Sequence, residues 1–142
     1  AGWNVHKRVE ELGGTVGEAL LAPHRSYVNP VFALMEKVEI KGIAHITGGG
    51  LLDNVPRSLP EGLGARLSQG SWPENPIFAL LQELGSIETS EMFQAFNMGL
   101  GLVLVVSSES ANMAVEFLHE QGEQAYIVGQ VVKNPQKRIE IA

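Results

Sequence analysis

The sequence predicts a layered α/β sandwich, an α+β domain whose mixed sheet of about five strands is flanked by helices, and three observations carry that expectation. Apolar residues recur at helical spacing behind clear start signals, as where Asn29-Pro30 precedes Val31, Leu34, Met35 and Val38. Residues 100–107 form a β-rich, continuously apolar run, the pattern of a central strand covered on both faces. A helix and another strand follow that run, and such a unit layers helices on a sheet. No linker or low-complexity tract divides residues 1–142, so one domain is expected.

Taken in order, residues 4–12 show helical spacing that stops at Gly13-Gly14. Thr15 and Glu18 then form a T-x-x-E capping box, in which each side chain satisfies a free amide at a helix start. A short helix over 16–21 should follow and stop at Pro23. The irregular segment PHRSYVNP leads to Asn29 as cap and Pro30 in the first turn of a helix running to about residue 39. The same device recurs at Asn75-Pro76 before Ile77, Leu80, Leu81 and Leu84. NPVFALMEKV and NPIFALLQEL look alike, but their flanks do not, so they read as one capping solution used twice rather than a duplication.

Residues 40–46 read as a strand, 51–55 as a short helix closed by Pro56 and Pro60, and 65–68 as a short strand. A helix carrying Met92, Phe93 and Phe96 starts near Thr89-Ser90. After the apolar run, Ser108 or Ser110 caps a helix with Met113, Ala114, Phe117 and Leu118 on its apolar face, ended by Gly122. Residues 124–132 form a strand, Asn134-Pro135 a turn, and residues 138–141 an alternating edge strand. The total is about five strands and five or six helices.

Composition narrows the function. A net charge of −6 without a lysine–arginine cluster argues against nucleic acid, whose phosphates call for a basic stripe. The absence of cysteine excludes a thiolate nucleophile, a disulfide framework and a zinc–thiolate site, and fits a reducing cytoplasm, the compartment expected. His6, His24, His45 and His119 include no pair at metal-ligand spacing, so no metal site is expected. The longest apolar run, residues 102–106, is far too short to span a bilayer. The chain opens without a charged-then-apolar leader and without methionine, and reads as a processed or excised piece.

The segment IAHITGGGLLDNVPR, residues 43–57, carries the most chemical information. Gly48, Gly49 and Gly50 between a strand and a helix cost conformational entropy but let backbone amides approach an anion, with the helix N-terminus adding partial positive charge. Thr47 adds a hydroxyl and Arg57 a guanidinium, and the flanking His45, Asn54 and Arg57 point to a phosphate or ribose site rather than a bare tight turn. The pattern is neither a P-loop nor a dinucleotide fingerprint. On the residues alone, His45 is slightly better read as a strand histidine bonded beside the core than as an acid or base. Arg25 and Tyr27 read as loop surface, and Asn97 as part of a glycine hinge between helix and strand.

LLAPHRSYVNPV, IAHITGGGLLDNVPRSLPEGLGA, SWPENPIF and EMFQAFNMGLGLVLVV, in that order, resemble signatures of the aminoimidazole ribonucleotide synthetase family over nearly the whole chain. The glycine segment with its N-x-P-R tail is the most specific. Selenophosphate synthetase, thiamine-phosphate kinase and formylglycinamidine ribonucleotide synthetase share that family's fold without this set of motifs. The resemblance implies the C-terminal, substrate-side domain of an ATP-dependent cyclo-ligase of purine biosynthesis, which converts formylglycinamidine ribonucleotide to aminoimidazole ribonucleotide. It implies ATP and Mg2+ in the complete enzyme and none bound by this chain alone, since nothing here resembles the N-terminal ATP-binding domain. The isolated chain is accordingly expected to be inactive, with that N-terminal domain as its partner and a homodimer as the complete enzyme. Carried over by position, Thr47, Gly48, Gly49, Gly50 and Arg57 are expected at the substrate phosphate or ribose. His45 and Asn54 are expected at the reacting end, with His45 as proton carrier, and Arg25, Tyr27 and Asn97 stand second.

His24 and Asn29 stand where the family leads one to expect threonine and lysine, so neither receives a role, and Asp53 replaces an expected glutamate. Two other readings compete: another ATP-dependent synthetase or kinase of the same fold, and a non-catalytic binding or assembly domain. Membership of a longer multifunctional enzyme is a further possibility.

Overall fold

In a computed structural model, residues 2–134, 136 and 138–142 are described. The N-terminal segment forms a small hairpin in which Arg8–Val9 (β1) pairs antiparallel with Gly14–Thr15 (β2) around a 3-10 turn at Glu10–Leu12. The helix expected over 4–12 does not form. Gly13 adopts a left-handed conformation at φ +66°, and the chain folds back so that Val16 N–H donates to the Lys7 carbonyl at 2.9 Å. Cross-strand pairing takes the backbone groups that a helix would have used.

The capping box forms as the sequence predicts. Glu18 N–H donates to Thr15 Oγ1 at 3.2 Å, Thr15 N–H donates to the Glu18 carboxylate at 2.7 Å, and helix α1 spans Val16–Leu20. Helix α2, Val28–Met35, starts earlier than expected: Tyr27 occupies the cap, and Asn29 and Pro30 lie inside the first turn. Proline is tolerated there because first-turn amides lack helical partners in any case. At Asn75-Pro76 the expected arrangement holds, with Asn75 Oδ1 accepting from Ile77 N–H at 3.1 Å and Pro76 opening the helix.

Strand β3, Gly42–His45, is followed by α3, Gly50–Asn54, and a 3-10 turn at Val55–Ser58 that contains Pro56. Then come β4 (Leu63–Leu67), α4 (Pro76–Gly85), α5 (Thr89–Ala95), β5 (Leu102–Val105), α6 (Ala111–Glu120), β6 (Gly129–Lys133) and β7 (Ile139–Ile141). Pro135 of the expected Asn134-Pro135 turn lies outside the described residues. Helix α6 begins after Ser110, but no serine side chain caps it; Ser110 Oγ instead meets Ser107 Oγ at 2.9 Å.

The architecture is mixed α/β with six α-helices among the described residues, but its strands do not join one sheet. β3 pairs antiparallel with β5, setting His45 opposite Leu102, while β4 lies between antiparallel β6 and parallel β7. Both edges of β4 are therefore filled from the C-terminal segment. Residues 124–128, expected as the first half of a strand, lie outside the ladder except that the Val128 carbonyl accepts from Ser68 N–H at 2.8 Å, and an opening of about 660 Å³ is lined by Val103, Val105, Leu67 and Val128.

Strand β5 explains its own apolar run. Val103 and Val105 face a large core with Leu51, Val55, Met92, Phe93 and Trp72, while Leu104 and Val106 pack against Leu34, Val38 and Ala114 beneath α2 and α6. Alternate side chains of one strand thus enter two cores, the requirement for a continuously apolar sequence. Of the α2 residues expected to share an apolar face, Leu34 is fully buried, whereas Met35 is half exposed.

Two outcomes follow. Leu34→Ala should cost about 2–5 kcal/mol in urea unfolding, because a fully buried side chain leaves a cavity, whereas Phe32→Ala on the exposed side of the same helix should stay within about 0.5 kcal/mol. The Glu18 carboxyl is held below its ordinary range by the Thr15 backbone and side-chain hydrogen bonds, with a smaller contribution from Arg8. A depressed folded-state value means that the capping stabilisation is present at neutral pH and disappears as pH falls through that value. Glu18→Gln should therefore lower the unfolding midpoint at pH 7, and the difference from wild type should close on acidification below about pH 4.

Candidate functional site

The glycine loop joins β3 to α3, and its three glycines do different work. Ile46 N–H donates to the Gly101 carbonyl at 3.0 Å, extending the β3–β5 ladder to the loop. Gly49 (φ +96°) and Gly50 (φ +57°) are left-handed. A Cβ on Gly50 would strike the carbonyl oxygens of Phe93 and Phe96, so only glycine allows α3 to start this close to α5. Gly48 is exposed, with open space where its Cβ would be.

Asn54 shapes this loop from beneath. It is 4% exposed, and its amide group donates to the carbonyls of Gly50 at 2.8 Å, Gly48 at 3.2 Å and Thr47 at 3.3 Å. The Thr47 hydroxyl approaches Asn54 Oδ1 at 3.4 Å. With those carbonyls turned inward, the Gly48 and Gly49 N–H groups find no protein acceptor among the described residues. A turn whose carbonyls are spent inside and whose amides remain open, next to a helix start, suits an anion. Asp53 accepts from Gln94 Nε2 at 2.9 Å, tying α3 to α5. Arg57 is exposed on the following 3-10 turn and joins no ion pair among the described residues.

A second cluster stands at the start of the loop. His45, at the end of β3, meets His24 with Nε2 atoms 2.9 Å apart and ring centroids 5.0 Å apart. The His24 ring in turn sits edge-on to Tyr27 at 5.8 Å. The Tyr27 hydroxyl reaches Gly101, where a Cβ would collide with it. Arg25 is committed to its surroundings: Nε pairs with Glu123 at 2.7 Å and Nη2 donates to the Gly122 carbonyl at 3.1 Å. These contacts lay the 22–27 loop across the end of the β3–β5 ladder. Burial raises the Tyr27 phenol above its ordinary range, Arg25 opposes that shift and Glu123 reinforces it, so the group stays a neutral hydroxyl at physiological pH.

Asn97 belongs to neither cluster. Its Oδ1 accepts from Gly99 N–H at 3.0 Å, forming the turn that feeds β5, while the neighbouring Met98 carbonyl accepts from the Trp72 indole at 2.8 Å. The structure thus gathers Thr47, Gly48, Gly49, Gly50 and Asn54 in one loop, and His45 and Tyr27 at its entrance. No described contact joins Arg57 or Asn97 to them. Sequence reasoning passed over His24, whose partner lies 21 residues away in no local motif, and Glu123, which holds Arg25.

Asn54→Ala would remove the side-chain donor from the Gly48 and Gly50 carbonyls, while the Thr47 carbonyl keeps the Gly50 N–H at 3.0 Å. It should cost about 1–3 kcal/mol in urea unfolding and speed hydrogen exchange at Gly50 before the rest of α3. Asn54→Asp should cost at least as much at neutral pH, because a carboxylate donates no hydrogen bond.

Over residues 2–142 the chain matches the family described as AIR synthase related protein, C-terminal domain. It is similar to the phosphoribosylformylglycinamidine cyclo-ligase of Geobacillus kaustophilus, at 56% identity over 124 residues, covering 87% of this chain and 36% of that protein. The enzyme of the same name from Acetivibrio thermocellus is 51% identical over 128 residues, covering 90% of this chain and 38% of the relative. That from Bacillus cytotoxicus is 53% identical over 118 residues, covering 83% and 34% respectively. The chain spans about a third of the length of these curated relatives. With its whole described length inside the match, the chain belongs to the family of AIR synthase related C-terminal domains.

Proposed function

We propose that this chain is the substrate-side C-terminal domain of an ATP-dependent cyclo-ligase that closes formylglycinamidine ribonucleotide into aminoimidazole ribonucleotide. The observation that carries the reading is the inward-facing glycine loop: its Gly48 and Gly49 amides stand open beside the Thr47 hydroxyl, directly after the histidine that ends β3. The names of the three relatives support the reaction, and their greater length supports a further domain that completes the site. Exposed Leu20 and Leu21 at the end of α1, and exposed Val28 and Phe32 one turn apart on α2, support a covering partner surface, which this reading assigns to the N-terminal ATP-binding domain.

In this reading the loop amides, Thr47 and Arg57 take the substrate phosphate or ribose. Anchoring that remote end orients the formyl-amide and amidine groups towards each other, which lowers the barrier to a ring closure whose two ends must otherwise find one geometry. His45 stands at the reacting end and takes the proton that the attacking amidine nitrogen must lose. Asn54 acts on substrate indirectly, by keeping the loop carbonyls turned away. Tyr27 and Arg25 hold the 22–27 loop beside His45, and Asn97 sets the turn behind Gly101.

Phosphate activation by ATP converts the formyl-amide oxygen into a leaving group. Among the described residues no three histidine, aspartate or glutamate side chains converge on a common point, and the reading assigns Mg2+ and nucleotide to the ATP-binding domain. The complete enzyme is read as a homodimer working in the cytoplasm; among the described residues no helix is long and apolar enough to cross a membrane.

The test is ATP-dependent formation of aminoimidazole ribonucleotide by the chain alone and after mixing with a separately made ATP-binding domain of a relative. Activity confined to the mixture is expected, and activity in the chain alone would overturn the division of labour. In the active mixture, His45→Ala should lower kcat by about 10²–10⁴-fold with little change in KM, as removal of a proton carrier does. Arg57→Ala should instead raise KM by roughly tenfold, the size of one charge-assisted phosphate contact. An unchanged kcat in His45→Ala would contradict the assignment of the reacting end.

A further inference from the structure

We propose that His24 is a positioning residue for His45, engaging its Nε2 so that Nδ1 is the nitrogen left to face the reactants. The proposal rests on the reading of His45 as proton carrier, and its evidence is the geometry of the pair. The two Nε2 atoms lie 2.9 Å apart, a hydrogen-bond distance, and the rings meet at 61° with centroids 5.0 Å apart. Two such nitrogens bond only if one carries a proton and the other a lone pair. His45 Nε2 is thereby occupied, and its other nitrogen is the one available for chemistry.

The arrangement also fixes where a proton goes. When His45 takes a proton at Nδ1, its Nε2–H donates to the Nε2 lone pair of His24, and that hydrogen bond persists in the imidazolium. The Nδ1 proton then leaves to water, which the exposure of both rings allows. One proton enters, one leaves, and the pair returns to its starting form. The pair accepts one extra proton with its hydrogen bond intact, whereas a second would place protons on both Nε2 atoms and break it.

The other groups near the pair do not substitute for this role. Tyr27 packs edge-on against His24 and stays a neutral phenol. Arg25 is engaged by Glu123 and Gly122, and the strand residue opposite His45 is Leu102. The threonine expected at position 24 has too short a side chain to replace an imidazole nitrogen, so this chain carries a device that the family resemblance does not imply.

The experiment is long-range proton–nitrogen NMR of the imidazole nitrogens in the 142-residue chain, comparing wild type with His24→Thr and His24→Gln. In wild type, His45 Nε2 should show the shift of a hydrogen-bonded nitrogen and a coupling across the bond to His24 Nε2. His24→Thr should move that resonance to the value of a solvent-exposed nitrogen. His24→Gln, which keeps an amide group at similar reach, should restore the bonded value. Absence of coupling between the two nitrogens in wild type, or an unchanged His45 Nε2 in His24→Thr, would overturn the proposal. Because the readout is taken in this chain without turnover, it decides the pair even if the cyclo-ligase reading fails. In the reconstituted enzyme, His24→Thr should lower kcat by about tenfold and shift its pH profile with KM unchanged. An unaltered kcat and profile would remove the role in proton transfer.

Discussion

The site depends on one buried amide. Asn54 gathers the carbonyls of Thr47, Gly48 and Gly50, and in doing so decides which way the loop's backbone dipoles point. A glycine-rich turn is adaptable by itself, and without an internal partner its peptide groups sample many orientations. An amide nitrogen with two donors, held inside at 4% exposure, converts that freedom into one arrangement. The neighbouring constraint is steric: Gly50 lies against the Phe93 and Phe96 carbonyls, so α3 cannot retreat from α5. Loop shape is therefore set by the packing of two helices and not by the ligand, which makes the open amides preorganised.

The wider fold brings the rest of the site to that loop. Strand β5 is covered by two cores, one on each face, which fixes the β3–β5 ladder and with it the direction in which His45 leaves the strand. The 22–27 loop is then held over the ladder's end by three unlike contacts: the Arg25–Glu123 ion pair, the Tyr27 hydroxyl at Gly101, and the histidine pair. The ion pair is largely exposed on the arginine side and contributes little energy, but it selects the loop's path.

What could be read from the sequence was what local chemistry decides. The Thr15–Glu18 capping box and the Asn75-Pro76 helix start each depend on groups within three residues, and both form as expected. The similar start at Asn29-Pro30 slipped by two residues because Tyr27 is tethered to Gly101, a contact beyond any local pattern. The helical spacing of residues 4–12 lost to strand pairing with β2 for the same kind of reason. The expected single sheet divides because β4 draws both neighbours from the C-terminal segment, and strand partnership is invisible to periodicity. At the site, the glycine segment was legible as a backbone device. The placement of Asn54 under it was not, since burial within a five-residue helix leaves no periodic trace. His24 receives no role in the sequence because it stands where threonine is expected, and its partner lies 21 residues away.

The most direct test of the account is amide chemical-shift mapping of the chain titrated with formylglycinamidine ribonucleotide and, separately, with the same compound lacking its phosphate. The account expects saturable shifts centred on Gly48 and Gly49 with the ribonucleotide, and their loss with the dephosphorylated compound. Shifts that avoid the loop, or that are the same for both compounds, would contradict the claim that these open amides receive the substrate's phosphate.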